Sequence, residues 1–141
     1  MKTILVVCTG NLCRSPMAEV LLQDRLARDP ARRNWRVRSA GVWATPGLPA
    51  SAHAVTVMAA RALSLHAHSS AEVTQALVEQ SDLILAMTPH HVEALRLAFP
   101  GAAGRIHLLA ALAGESHGVE DPYGEPLPAY AAVADELERL I

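Results

Sequence analysis

Lys2 to Val7 (KTILVV) open the chain as a β-branched apolar run, and Gly10 follows closely. Such a run reads as a parallel strand buried on both faces. Pro16 then marks a helix start, behind which Ala18, Val20, Leu21, Leu22 and Leu26 lay down an apolar stripe. Asn34 to Ala40 (NWRVRSA) alternates as a second strand closed by Gly41, and a loop with Pro46, Gly47 and Pro49 follows. Helical stretches are expected from about Ser51 to Leu63 and from about Ser69 to Glu79. Asp82 to Met87 (DLILAM) is the clearest buried strand, Pro89 opens a helix through Phe99, and Arg105 to Leu109 (RIHLL) makes a fourth strand. After the polar stretch Gly114–Gly124, Tyr130 to Ile141 closes as an amphipathic helix with Val133, Leu137, Leu140 and Ile141 on one side. Strands separated by helical segments predict an α/β fold, a parallel sheet covered on both faces. In such sheets the site lies beyond the carboxyl ends of the strands. Three segments fall there: Cys8–Ser15, Gly41–Pro49 and the region of Asp121.

Composition narrows the picture. At 141 residues, 51% of them hydrophobic and 18% charged, the chain fits one domain, residues 1–141, with a core that needs no staples. The net charge of -2 and the lack of a basic block argue against nucleic-acid binding. No run approaches the roughly 18 apolar residues of a membrane span, and the N-terminus does not resemble a secretory signal, so a cytoplasmic protein without membrane contact is expected. Two cysteines five residues apart cannot be a disulfide framework, and a reducing compartment favours a chemical role for at least one. His66 with His68, and His90 with His91, have no companions at ligand spacing, so no metal site is predicted. No cofactor is predicted either, because the glycine-containing loop lacks the lysine of a nucleotide-binding P-loop.

The chemistry concentrates in Cys8-Thr9-Gly10-Asn11-Leu12-Cys13-Arg14-Ser15. A thiol stands at a strand end, an arginine follows six residues later, and a helix begins directly behind. Backbone N–H groups of a tight loop and a helix N-terminus make an anion cradle, and a guanidinium adds a two-pronged clamp. The field that would hold phosphate also stabilises a thiolate, making Cys8 a nucleophile for in-line attack on phosphorus. Ser15 could donate to the sulfur as it leaves, and Asn11 tolerates the left-handed backbone such a loop needs. The competing reading is a buried, inert strand-end cysteine. A leaving oxygen also needs a proton, and Asp121, stiffened by Pro122, is the candidate acid; on local sequence alone Asp-Pro is more often just a turn signal.

The blocks VVCTGNLCRSPMAE (Val6–Glu19), VRSAG (Val37–Gly41), SDLILAMT (Ser81–Thr88) and DPYG (Asp121–Gly124) resemble the low-molecular-weight protein tyrosine phosphatase family, in order and spacing, along nearly the whole chain. The resemblance implies a three-layer fold with a four-stranded parallel sheet and a phosphate-binding loop after the first strand. It implies Cys8 as nucleophile, Arg14 as transition-state clamp and Asp121 as general acid, with Thr9, Gly10, Asn11, Leu12, Cys13 and Ser15 forming the phosphate loop. It further implies that Cys13 can form a reversible disulfide with Cys8, that His68 supports Asn11, and that Trp43 and Tyr123 wall the pocket. The expected partner is a phosphorylated protein, with inorganic phosphate as product. CTGN, RSAGVWATP and Gly118 before DPYG resemble the branch of bacterial protein arginine phosphatases. Leu12 departs from it: arginine-specific members carry Thr there and tyrosine-specific members an aliphatic residue, which favours phosphotyrosine over phosphoarginine. Arsenate reduction on this fold needs further cysteines, and none follows Cys13. A non-catalytic phosphate-binding module would have no use for Asp121.

Overall fold

The computed structural model describes residues 1–141. Four strands, β1 (Thr3–Cys8), β2 (Arg36–Gly41), β3 (Leu83–Ala86) and β4 (Ile106–Leu108), form one parallel sheet in the order β2-β1-β3-β4. Between and after them come α1 (Arg14–Ala27), α2 (Ala52–Ala59), α3 (Gln75–Gln80), α4 (Pro89–Ala98) and α5 (Leu127–Leu140). Two 3-10 segments, Pro100–Arg105 and Leu109–Ala113, flank β4.

The period-two alternation of β1 divides the core. Ile4, Val6 and Cys8 pack with Met17, Leu21, Met58, Tyr130 and Leu137, whereas Leu5 and Val7 pack with Val78, Ile84, Leu95 and Ile106. Helices α1, α2 and α5 therefore cover one face, and α3 and α4 the other. The first cluster holds 25 buried residues and the second 9, so the face under α1 carries most of the apolar burial. Each fully buried aliphatic side chain there contributes roughly 1.5–3 kcal/mol. No helix is long and apolar enough to cross a membrane.

Two expected helical stretches come out shorter. The one from Ser51 ends at Ala59, and Ala62 takes a left-handed backbone, φ 61°. Residues 69–73 are not helical. Gly41 N–H donates to the Ala71 carbonyl at 2.8 Å, Val73 N–H to Gly41 at 3.0 Å, and Ser70 N–H to Leu48 at 2.8 Å. These long-range pairings outcompete a local helix, which begins only at Gln75 after Thr74 caps it by accepting from Leu77 N–H at 3.2 Å. Helix α1 starts at Arg14, two residues before Pro16, so the proline sits within the first turn where its missing N–H costs nothing. Likewise α5 starts at Leu127 rather than Tyr130.

Candidate active site

Cys8 is the last residue of β1, opposite Gly41 at the end of β2. Beyond it the chain turns back through Asn11, whose φ of 58° is left-handed, and enters α1 at Arg14. Asn11 is fully buried, and both polar atoms of its side chain are bonded. Its Nδ2 donates to Ser15 Oγ at 2.8 Å and to Ser39 Oγ at 3.0 Å, and its Oδ1 accepts from Ala71 N–H at 2.9 Å. The Asn11 carbonyl accepts from His68 Nε2 at 2.8 Å, so the histidine stands where support for Asn11 requires it. Gly41 is what lets β2 lie against this loop: a Cβ there would collide with the Thr9 carbonyl and come within 3.0 Å of Asn11 N.

The Asn11 side chain is saturated, but the backbone donors of the loop are not. None of the N–H groups of Thr9, Gly10, Asn11, Leu12 and Cys13 is hydrogen-bonded within the protein. The first turn of α1 adds the positive end of a helix at the same place. Thr9, Gly10, Leu12, Cys13 and Arg14 line a cavity of about 190 Å³ together with Cys8, Asp121 and Tyr123. Ser15 Oγ lies 2.9 Å from Cys8 Sγ. Because Asn11 donates to that oxygen, the serine's own proton is free to point at sulfur, its other acceptor being the Ala40 carbonyl at 3.5 Å.

Arg14 is only 4% exposed. Its Nη1 donates to the Val119 carbonyl at 2.9 Å, its Nη2 lies 3.4 Å from Thr9 Oγ1 and 3.5 Å from Asp121 Oδ2, and its Nε has no partner. Nε and Nη2 share one edge of the planar guanidinium, the edge that grips two oxygens of an oxyanion. A buried cation with an unpaired donor is costly to the fold unless an anion completes it. Asp121 is half exposed, and its Oδ1 accepts from Tyr123 N–H at 3.1 Å, which shapes the Asp-Pro turn. Val119 fixes this second loop, its N–H donating to the Met87 carbonyl at 2.9 Å just past β3.

Cys13, the second thiol, is buried, with Sγ 3.4 Å from Ser51 Oγ and 3.5 Å from Tyr130 Oη. Burial pushes its thiol above the ordinary cysteine range, and both cysteines are free. Of the expected site residues, Trp43 alone is not brought to the site. Its N–H bonds the Thr9 carbonyl at 2.9 Å, but its indole is 84% exposed and outside the cavity lining, while Tyr123 does line it. Asn11 and Ser15 act from beneath the lining.

The sequence reading missed Gly41, Ser39, Val119 and His91. His91, on α4, is buried and bonds Thr9 Oγ1 through Nε2 at 2.8 Å. A signal existed: it lies one turn before the buried Leu95, on the apolar stripe of α4. A roomier hollow of about 760 Å³ lies between the ends of α1 and α5, but it contains no thiol, hydroxyl or imidazole.

The chain matches the family described as "Low molecular weight phosphotyrosine protein phosphatase" over residues 3–141. It is 40% identical over 139 residues to the protein-arginine-phosphatase of Bacillus subtilis strain 168, covering 98% of this chain and 91% of that one. It is 38% identical over 138 residues to the low molecular weight protein-tyrosine-phosphatase Wzb of Escherichia coli K12, covering 98% and 89%. The crystal structure of the low molecular weight protein tyrosine phosphatase from T. tengcongensis superimposes with a TM-score of 0.93 at 36% identity, over 99% of this chain and 95% of that one. With its strand-end thiol, buried arginine and parallel sheet all in place, the chain belongs to the low-molecular-weight phosphotyrosine protein phosphatases, a family of cysteine-dependent enzymes.

Proposed function

We propose that this enzyme hydrolyses protein phosphotyrosine through a phosphocysteine intermediate. The observation that carries the reading is the cradle itself: five unpaired N–H groups and an unpaired Arg14 Nε around one sulfur. Cys8 Sγ attacks phosphorus, a P–S bond forms, and the P–O bond to the tyrosine breaks in line with it. Asp121 gives its proton to the departing phenolic oxygen. Arg14 and the loop donors hold the three equatorial oxygens, where charge is spread in the transition state. Water then attacks the phosphocysteine, Asp121 takes one of its protons, and the sulfur leaves with the Ser15 proton directed at it. Inorganic phosphate is released, and neither metal nor cofactor has a part in the sequence of steps. The substrate partner is a phosphorylated protein met in the cytosol, with no role for nucleic acid.

A second reading, hydrolysis of protein phosphoarginine, is favoured by the 40% identity to an enzyme named for that activity. Leu12 weighs against it. An aliphatic side chain in the lining offers a phenyl ring apolar contact and gives a guanidinium nothing to bond. The test compares turnover of phosphotyrosine and phosphoarginine peptides by wild type, Leu12→Thr and Cys8→Ser. Preference for phosphotyrosine should drop in Leu12→Thr, and Cys8→Ser should be inactive on both. A wild type that strongly prefers phosphoarginine reverses the substrate assignment. An active Cys8→Ser removes the nucleophile.

A further inference from the structure

Helix α4 sends one polar ring under the phosphate loop. His91 is 7% exposed, its N–H bonds the Thr88 Oγ1 that caps the helix at 3.2 Å, and its Nε2 lies 2.8 Å from Thr9 Oγ1. Its Nδ1 is buried with no partner. An unpaired buried nitrogen is uncommon and calls for a compensating reason.

The proton count at Thr9 bears on which ring nitrogen carries the hydrogen. The Thr9 hydroxyl has one proton to give and two lone pairs to offer. Arg14 Nη2, 3.4 Å away, can only donate, so it takes a lone pair. The remaining hydrogen-bond partner of this hydroxyl is His91 Nε2. Thr9 can give its proton to a bare Nε2 while accepting from Arg14, an arrangement that puts the ring hydrogen on Nδ1. A doubly protonated ring would aim a second cation at the oxygen that already faces Arg14. The charged groups around the ring agree. Burial first, then Arg14 and more weakly His90, pull the imidazole down to about 4, against a smaller opposing pull from Asp121. His91 is thus neutral at neutral pH.

We propose that His91 is a positioning residue of the phosphate clamp: by taking the Thr9 proton it turns a Thr9 lone pair toward Arg14 and keeps the free guanidinium edge on the Cys8 cavity. The ring touches neither substrate nor sulfur and acts through Thr9. Without it the Thr9 hydroxyl turns freely, and Arg14 Nη2 is left with the half-exposed Asp121 as its alternative partner. The consequence for turnover rests on the phosphatase reading, whereas the protonation pattern does not.

The test has two arms. Nitrogen-15 NMR of the wild-type imidazole at pH 7 should show a protonated Nδ1 and a bare Nε2, with the ring signals moving when inorganic phosphate is added. An Nε2–H tautomer or an imidazolium overturns the proposal without any variant having to fold. In the second arm, inorganic phosphate serves as competitive inhibitor of aryl phosphate hydrolysis. His91→Ala should weaken phosphate binding about tenfold, the scale of one hydrogen bond, and lower kcat/KM alongside. His91→Gln, whose Oε1 can accept from Thr9 near the Nε2 position, should recover most of both, and the shorter His91→Asn should not. Equal impairment of the Gln and Ala variants, or unchanged phosphate binding in His91→Ala, also overturns it. If the NMR pattern holds while Cys8→Ser stays active, the phosphocysteine mechanism fails and the hydrogen-bond assignment survives.

Discussion

The loop from Cys8 to Ser15 and the loop from His117 to Gly124 face one cavity but are held by opposite means. The first is largely buried and held rigid by side-chain hydrogen bonds: Asn11 alone ties Ser15, Ser39, Ala71 and His68 together. The second is exposed for much of its length. It is fixed at Val119, between the Met87 carbonyl and Arg14 Nη1, and is laced at the surface by His117, Glu115, Glu136 and Arg139. A cradle that stabilises a transition state must be formed beforehand, because reorganising it would consume the stabilisation it offers. A proton donor that meets many leaving groups needs only an approximate position and access to water.

That contrast can be broken at several points. The largest effect is expected from Asp121→Asn, which should lower kcat about 10²–10⁴-fold, roughly 3–5 kcal/mol in the barrier, while moving stability by less than about 0.5 kcal/mol. Turnover with substrates of graded leaving-group acidity, measured beside thermal melting, checks both halves. A matching loss of stability would show that the acid loop is structural after all.

Asn11→Ala comes next and should do the reverse. It removes three side-chain bonds and puts alanine at a left-handed φ, so about 3 kcal/mol of stability should vanish, read from urea midpoints, with activity falling alongside. A stable but inactive variant would confine Asn11 to chemistry.

The smallest effect belongs to His117. Its Nδ1 meets the Gly118 carbonyl at 3.1 Å and its Nε2 the Glu115 carboxylate at 2.9 Å, two acceptors that both want a proton from the ring. The Gly118 carbonyl first, and Glu115 with it, hold its pKa above the ordinary histidine value. With the folded value raised, the tether is fully present below pH ~6.5 and is lost as pH rises through the folded value. Amide protection factors at residues 118–123, taken relative to intrinsic exchange, should therefore fall on going alkaline in wild type and show no such pH step in His117→Ala. Solvent screening at this exposed site keeps the effect slight.

Much of the site could be read from the sequence because its chemistry is local. Cys8, the loop and Arg14 follow one another between a β-branched run and an amphipathic stripe, so strand, cradle and helix N-terminus announce themselves together. What escaped depends on partners far along the chain. Residues 69–73 carry a helical pattern, yet they pair with Gly41 and Leu48, and nothing local encodes that choice. Gly41 read as a strand terminator, whereas its missing Cβ makes room for a loop some 30 residues earlier. The resemblance placed Trp43 at the pocket wall, but its backbone bonds the Thr9 carbonyl while its indole stands in solvent, and nothing local in the sequence encodes that direction.

The attachment of Val119 to Met87 has a consequence for how such an enzyme can change over time. Met87 N–H bonds the Val7 carbonyl at 3.0 Å and Val119 N–H bonds the Met87 carbonyl at 2.9 Å, so the gap between thiol and acid is measured out in strand widths. The turn before Val119 is held only by local and surface bonds: Gly114 is left-handed, with open space where a Cβ would stand. Insertions there can lengthen the chain, add a new surface or recruit another domain, and the distance between nucleophile and acid stays where the sheet has set it.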